Sequence, residues 1–399
     1  MQIYLITFFI LSILSIFEFF SKNKNSSIIN IFILAILVWL IFIAGFRGAV
    51  FGDYCTYWNF FQVIPSLGDY VYRLVEIPDD ISTEWLYNIL FPMFTKVFSD
   101  SHVLYFTFVS AVALSINIFM LKKMSPLIFL SLLIYFSHVF LYKELQQIRS
   151  GLSSSLILLS IYFLSQRRIS SYTGTYIFST LIHTTAFVTI FGVISRFIFS
   201  FFKQKKTVMV FVLVFVIFLA LIEIPLSILF FLETNITFPW KYYVYKDTID
   251  GAGSTNFYSI GIFSNLTTVK YIFFSLISIM YFDELNKKNK YFKYAFFFYY
   301  TGTLWIIFFN GFAIIATRLA SMLTVPEIIL LPMLIILFKQ KGLAFIFLVL
   351  FSFMQLILNT LYLSNVPEYD FIWNNVDLCQ ETFDHKMRDH EYIQLESDF

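Results

Sequence analysis

The amino-acid sequence predicts an all-α, polytopic membrane helix bundle of about 12 transmembrane helices, with a large outer-side loop and short tilted or half-inserted helices. Three observations carry that prediction. Of the 399 residues, 59% are hydrophobic and only 13% charged, against roughly 45–50% and about 25% in soluble domains. Long apolar runs recur along the chain, most of them near the roughly 20 residues that a crossing needs. Basic residues gather in short clusters between those runs. This composition excludes an ordinary cytosolic enzyme, a disordered tail protein and a nucleic-acid binder. With 54 Phe and 25 Tyr, a water-facing surface could not conceal the aromatic area.

In chain order, residues 1–20 are apolar almost from the start, with no basic leader region and no small-residue cleavage site. They read as a retained first helix rather than a signal peptide. Further runs follow at 28–46, 102–121, 126–142, 151–165, 208–231, 266–282, 292–312, 319–338 and 343–363. They are apolar all round, as lipid-embedded helices should be. The clusters Lys22/Lys24, Lys122/Lys123, Arg167/Arg168, Lys203/Lys205/Lys206, Lys287/Lys288/Lys290 and Lys339/Lys341 hold 14 of the 27 basic residues in six turns. Such a bias marks those turns as cytoplasmic, which sends both termini and the longer loops to the outer side.

Two segments depart from simple spans. Residues 84–98 are too short to cross and read as a half-inserted or surface-lying helix within an outer loop at 47–101. Residues 170–202 offer 33 positions where two full spans need about 40. That hairpin is therefore expected to be two short, tilted helices meeting below the outer surface, with His183 at its middle and a cavity nearby. A large outer loop is expected at 232–265. The last stretch, 364–399, is an acidic extension with nine carboxylates against Lys386 and Arg388. The overall charge of +2 names no partner. Cys55 and Cys379 form neither a framework nor a metal spacing; one pair is possible, and two free thiols are the expectation. No internal repeat is evident.

The motifs for phosphate-binding loops, dinucleotide folds and zinc sites are absent; His385 and His390 in the tail have no strong metal spacing. No cofactor and no metal are expected. What remains is a small polar set on one side: Arg47 and Asp53 in GFRGAVFGDY, Glu84, Arg149 in KELQQIRSG, His183 in LIHTTAF and Arg318 in IIATRLASM. Each has a bland alternative. Arg47 reads equally as a snorkelling lipid anchor, Asp53 as a helix cap, Glu84 as the acidic first residue of its own helix and His183 as a satisfied core histidine. Lys143 and Glu144 could offset Arg149, whereas Arg318 sits between apolar runs with no other charge in its turn. An arginine within the bilayer costs roughly 2.5–3.5 kcal/mol and usually faces a cavity or a partner. Several guanidiniums on one rim suit a phosphate or pyrophosphate, which they bind bidentately. In the 232–265 loop, Trp240, Tyr242, Tyr243 and Tyr245 read either as a membrane belt or as faces for sugar rings.

These residues also carry a resemblance. FRGAVFGDYCTYWNFF, QQIRSGLSSSLILLS, LIHTTAFVTI, TRLASMLTVPEIILLP and NVPEYDF, in that order, resemble the corresponding elements of EpsG-type polysaccharide polymerases, the group that includes many Wzy-type O-antigen polymerases. The likeness covers residues 1–373. It departs where Phe51-Gly52-Asp53 replaces the common Gly-Thr-Asp and where Ser follows Arg149. The resemblance implies a polymerase-like domain over 1–363. It implies a metal-independent membrane glycosyltransferase that joins undecaprenyl-pyrophosphate-linked repeat units on the outer face of the bacterial inner membrane, for O-antigen or exopolysaccharide chain growth. Donor and acceptor would be lipid-linked oligosaccharides, with membrane lipid, a chain-length regulator and a flippase of the same pathway as partners, and no nucleic acid. Arg47, Arg149 and Arg318 would hold the leaving pyrophosphate, and Asp53, Glu84 or His183 would act as base, Asp53 being favoured by its sequence link to Arg47. The rival readings are a flippase for lipid-linked sugars, another membrane glycan transferase such as a ligase or an acyltransferase, and a structural membrane partner.

Overall fold

The computed structural model describes residues 2–21, 27–71, 84, 86–225, 227, 261–362, 367–372 and 379. Among them there is no β-strand; the chain is helical, as expected. Six helices are long and apolar enough to cross a membrane: Gln2–Phe20, Ser27–Gly45, His102–Met124, Ile148–Ser165, Thr184–Phe201 and Lys341–Leu361. At about 1.5 Å per residue, such helices match the roughly 30 Å hydrocarbon layer. Two further candidates are bent pairs, Leu266–Met280 with Phe282–Lys288 at 75° and Ile315–Leu323 with Glu327–Leu337 at 61°, and two shorter apolar helices cover Ile128–Lys143 and Lys206–Leu221. The twelve expected crossings are thus not all long straight helices among the described residues.

The departures have local causes. The run at 319–338 breaks at Thr324–Pro326, because proline lacks an N–H and restricts the residue before it. Arg318 consequently lies within the helix Ala313–Leu323 and not, as expected, in a turn between apolar runs. The hairpin at 170–202 forms two helical stretches, Ile169–Ile182 and Thr184–Phe201, that part at His183. Residues 86–96 are helical as well, a π-turn Leu86–Leu90 leading into Phe91–Lys96. Arg167, Lys203 and Gln204 in the basic turns take positive φ angles of 60°, 50° and 54°.

The chain forms two compact units. The first comprises Met1–Ser160, Ser170–Thr184 and Gly342–Phe399; the second comprises Ile161–Ile169 and Thr185–Lys341. Within the first, helix ends are closed by side chains from distant segments. Buried Glu18 accepts the N–H groups of Ile128 and Phe129, both at 2.8 Å, which otherwise would be orphans at a helix start. Asn359 donates to the Ser137 carbonyl at 3.0 Å, joining the π-turns Leu358–Tyr362 and Phe136–Phe140. In the second unit, Lys270 and Glu327 form a buried ion pair at 3.0 Å, beside a 3.1 Å hydrogen bond between Tyr271 and Thr324.

Close helix packing sets a further constraint. A β-carbon on Gly45 would overlap the Thr107 hydroxyl and stand 3.0 Å from its Cα, whereas one on Gly174 meets nothing within 4 Å. Gly45→Val should therefore cost about 1–3 kcal/mol and lower the thermal midpoint of the detergent-purified protein. Gly174→Ala should leave it within about 0.5 kcal/mol of the parent.

Candidate functional site

Glu84 draws three segments of the first unit together. Its backbone sits at φ 58°, a region that costs a non-glycine residue about 1–3 kcal/mol. The Glu84 carbonyl accepts from the N–H of Tyr87 at 2.9 Å and of Asn88 at 3.0 Å, so the residue does begin the 86–96 helical stretch. Its carboxylate, however, turns away from that helix. Oε2 accepts from Arg149 Nη1 at 2.5 Å. Oε1 lies 2.7 Å from His183 Nδ1 and accepts from the Thr184 N–H at 3.0 Å and the Thr184 hydroxyl at 3.2 Å. The positive φ and the pairing answer the helix-end reading: Glu84 caps the start of another helix, Thr184–Phe201.

Arg149 stands in the first turn of Ile148–Ser165. Its Nε donates to the Tyr57 hydroxyl at 3.3 Å, its Cζ lies 5.1 Å from the Tyr57 ring centroid, and the Tyr57 hydroxyl donates to Asp53 Oδ2 at 3.0 Å. Asp53 is tied in turn by its N–H to the Gln146 carbonyl at 3.3 Å. The result is one chain of polar contacts, Asp53–Tyr57–Arg149–Glu84–His183. The Glu84 side chain is 4% exposed, while Arg149 and His183 keep 21% and 19%. The carboxylate is therefore the enclosed hub, and the two cationic or basic groups are what a ligand can reach. An apolar cluster that includes Tyr57, Leu86, Tyr87, Tyr105, Phe106, Ile148 and Ile182 holds the chain from behind.

Burial alone would raise the Glu84 carboxyl; the His183 hydrogen bond and charge, the Arg149 charge and the Thr184 N–H outweigh it and bring the group down to about 2. Glu84 is thus ionised and can only accept, which places the proton of His183 on Nδ1 and leaves Nε2 as an acceptor. Burial holds His183 below its ordinary value despite the pull of Glu84, so the imidazole is neutral near pH 7.

The other expected residues are placed differently. Arg47 is fully buried; its Nη1 donates to the Ala44 carbonyl and its Cζ lies 4.7 Å from the Phe106 ring centroid and 5.6 Å from that of Tyr54. The returning C-terminal segment seals it, with an antiparallel bridge between Arg47 and Phe371 and hydrogen bonds from Gly48 N–H to Asp370 O at 2.7 Å and from Ile372 N–H to Phe46 O at 3.1 Å. Arg318 is exposed on its helix in the second unit. Trp240, Tyr242, Tyr243 and Tyr245 lie outside the described residues.

Two expectations are corrected. Glu144 does not pair with Arg149; it accepts from the Tyr135 hydroxyl at 2.7 Å, and the carboxylate on Arg149 comes from Glu84, 65 positions away. Cys55 and Cys379 are joined in a disulfide rather than free; Cys379 is buried in the same apolar cluster that Cys55 packs against. Tyr57 and Thr184 are the members that sequence reasoning missed. The four-residue spacing from Asp53 to Tyr57 was the available signal, since such pairs share a helix face.

Apolar helices long enough to cross a membrane, with a half-buried Arg–Glu–His constellation where helices begin and break, define a membrane protein that carries a partly enclosed polar site. The chain belongs to the EpsG family, whose profile matches residues 30–374, and it is a multi-pass membrane protein. It is similar to the amylovoran biosynthesis protein AmsC of Erwinia amylovora, 28% identical over 343 residues that cover 83% of this chain and 85% of that protein. No solved structure matches.

Because the folded Glu84 carboxyl is depressed, its stabilising contribution is fully present above the ordinary carboxylate range and is lost as pH falls toward about 2. The thermal midpoint of the parent should exceed that of Glu84→Gln at about pH 5, where the carboxylate is ionised, and the gap should close as the buffer is taken from about pH 5 to pH 2. A gap independent of pH would contradict the assigned ionisation.

Proposed function

We propose that this chain is an exopolysaccharide polymerase of the bacterial inner membrane, joining undecaprenyl-pyrophosphate-linked repeat units on the outer face. The observation that carries the reading is the Glu84-centred contact that sets a guanidinium and a neutral imidazole side by side, both partly exposed. Membership of the EpsG family and similarity to a protein of amylovoran biosynthesis support it. The Cys55–Cys379 disulfide supports the outer side for the end of the unit that carries it, since such bonds persist outside the reducing cytosol.

In this reading His183 Nε2 takes the proton from the attacking sugar hydroxyl, with Glu84 fixing the ring through Nδ1. The hydroxyl oxygen bonds to the anomeric carbon of the donor chain as the bond from that carbon to the pyrophosphate oxygen breaks. The electron pair leaves with the carrier pyrophosphate, and Arg149 stabilises the developing charge. His183 displaces Asp53 as the favoured base, because Asp53 acts on Arg149 through Tyr57. Arg47, enclosed by the protein, contributes fixed positive charge rather than contact. Arg318 is assigned to the pyrophosphate as well, and Trp240, Tyr242, Tyr243 and Tyr245 to the sugar rings.

Deletion of the gene should leave lipid bearing a single repeat unit and no polymer ladder; loss of a flippase or ligase would leave no repeat attached. Arg149→Ala and His183→Ala, at normal protein levels, should reduce polymer by about 10²–10³-fold, and a retained ladder in either would overturn the assignment. Sidedness has its own test. A cysteine introduced at Leu67, 45% exposed in the stretch expected outside, should be labelled by a membrane-impermeant maleimide in intact spheroplasts; labelling only after lysis would refute the outer placement.

A further inference from the structure

The second unit holds a group of cations that the polymerase chemistry does not use. The helix Ile190–Phe201 runs close against Phe292–Phe308: a β-carbon on Gly192 would stand 2.8 Å from the Phe298 ring, and the Phe199 and Phe297 rings stack at 5.7 Å. That approach lays Arg196 on Tyr294, with Cζ 4.4 Å from the ring centroid and Nη2 donating to the hydroxyl at 3.4 Å. The Arg196 Nε is buried and has no hydrogen-bond partner. Lys293 is next in the chain to Tyr294, and the Arg167 turn meets the start of the same helix, where Gln166 Nε2 donates to the Tyr291 hydroxyl at 3.5 Å and the Tyr162 and Tyr291 rings lie 6.0 Å apart. Lys293 is partly buried within electrostatic reach of Arg196 and Arg167. Arg167 and Arg168 are both exposed in the turn before Ile169–Ile182.

The ion pairs of this unit among the described residues, Lys206 with Asp283 and Lys270 with Glu327, take none of these cations. Three positive groups converging with no paired carboxylate among the described residues repel one another unless an anion joins them. Stacking on Tyr294 leaves the outer edge of the Arg196 guanidinium pre-set in a plane, the geometry that suits bidentate phosphate binding. The surroundings point to an amphiphile. Phe197 and Phe201, on the same helix as Arg196, are 62% and 70% exposed, and acyl chains would cover them.

We propose that Arg196, Lys293 and Arg167 bind the phosphate of an anionic phospholipid headgroup in the leaflet beside the basic turns. Each basic group near such a headgroup contributes about 1 kcal/mol, or about fivefold in affinity. The full chain, purified in a non-ionic detergent, is titrated with phosphatidylglycerol or with phosphatidylcholine and read by native mass spectrometry. Phosphatidylglycerol should bind roughly tenfold more tightly, and Arg196→Gln with Lys293→Gln should remove the preference. Lys293→Gln and Arg167→Gln alone, at exposed or half-exposed positions, should each weaken phosphatidylglycerol about fivefold and serve if the Arg196 variant fails to fold. Equal binding of the two lipids, or a preference that survives these changes, would overturn the proposal. So would an equal loss in Lys341→Gln, a basic position elsewhere in the unit, which would show unspecific charge attraction. Displacement of the lipid by millimolar inorganic phosphate would assign the site to free phosphate instead.

Discussion

The carboxylate of Glu84 is the contact on which the rest of the site depends. It receives four donor contacts, from Arg149, from His183 and twice from Thr184, and these residues stand 65, 99 and 100 positions away in the chain. Each contact settles something that would otherwise be unstable. The break at His183 exposes the N–H that opens Thr184–Phe201, and lipid offers no acceptor for it; Glu84 supplies one. Arg149 begins a span with a charge that needs a partner; Glu84 supplies that too. The left-handed backbone at Glu84 is tolerated because these bonds over-determine it. Loss of the carboxylate would leave a guanidinium and a backbone donor unsatisfied together, which is more damaging than loss of either contact.

The same solution recurs at other helix ends among the described residues. Glu18 closes the start of the helix at Ile128, and Asn359 takes the carbonyl released by the π-turn around Ser137. Glu327 opens the second half of a bent span while paired to Lys270. In water such ends are left to solvent, so the partner's position is loosely constrained. In a bilayer the partner must come from another segment of protein, and polar side chains become the fasteners that set helix against helix. This explains why so few charges suffice to order so much apolar surface.

The large outline was legible in the sequence because it rests on local signals. Apolar runs marked the spans, and a hairpin short of two full crossings marked the break at His183. Scarcity of charge made Asp53, Glu84, Arg149 and His183 conspicuous. What stayed hidden was pairing. Lys143 and Glu144 are the charges nearest Arg149 in sequence, yet the carboxylate that meets it is Glu84; adjacency along the chain is a poor guide where helices fold back. Arg47 shares a motif with Asp53, but its enclosure depends on the return of residues 367–372, which no pattern near Arg47 reveals. Lys270, Glu327 and Arg196 passed unnoticed inside apolar runs, since single charges hardly disturb a hydropathy average.

The arginines that read alike in sequence occupy three unlike environments, and this bears on how a pyrophosphate would be held. Arg47 is sealed, Arg149 is half-buried against a carboxylate, and Arg318 is exposed. With Glu84 ionised and His183 neutral, the Arg149 charge is already balanced before any ligand arrives. Such a site favours the transition state by geometry: the guanidinium and the imidazole are fixed by Glu84 in advance, and no reorganisation is needed as charge moves from hydroxyl to leaving group. It does not by itself neutralise a dianionic pyrophosphate. The proposed chemistry therefore requires positive charge beyond the Glu84 network. Orientation and neutralisation are then separate tasks, and a pyrophosphate is held only where both are met.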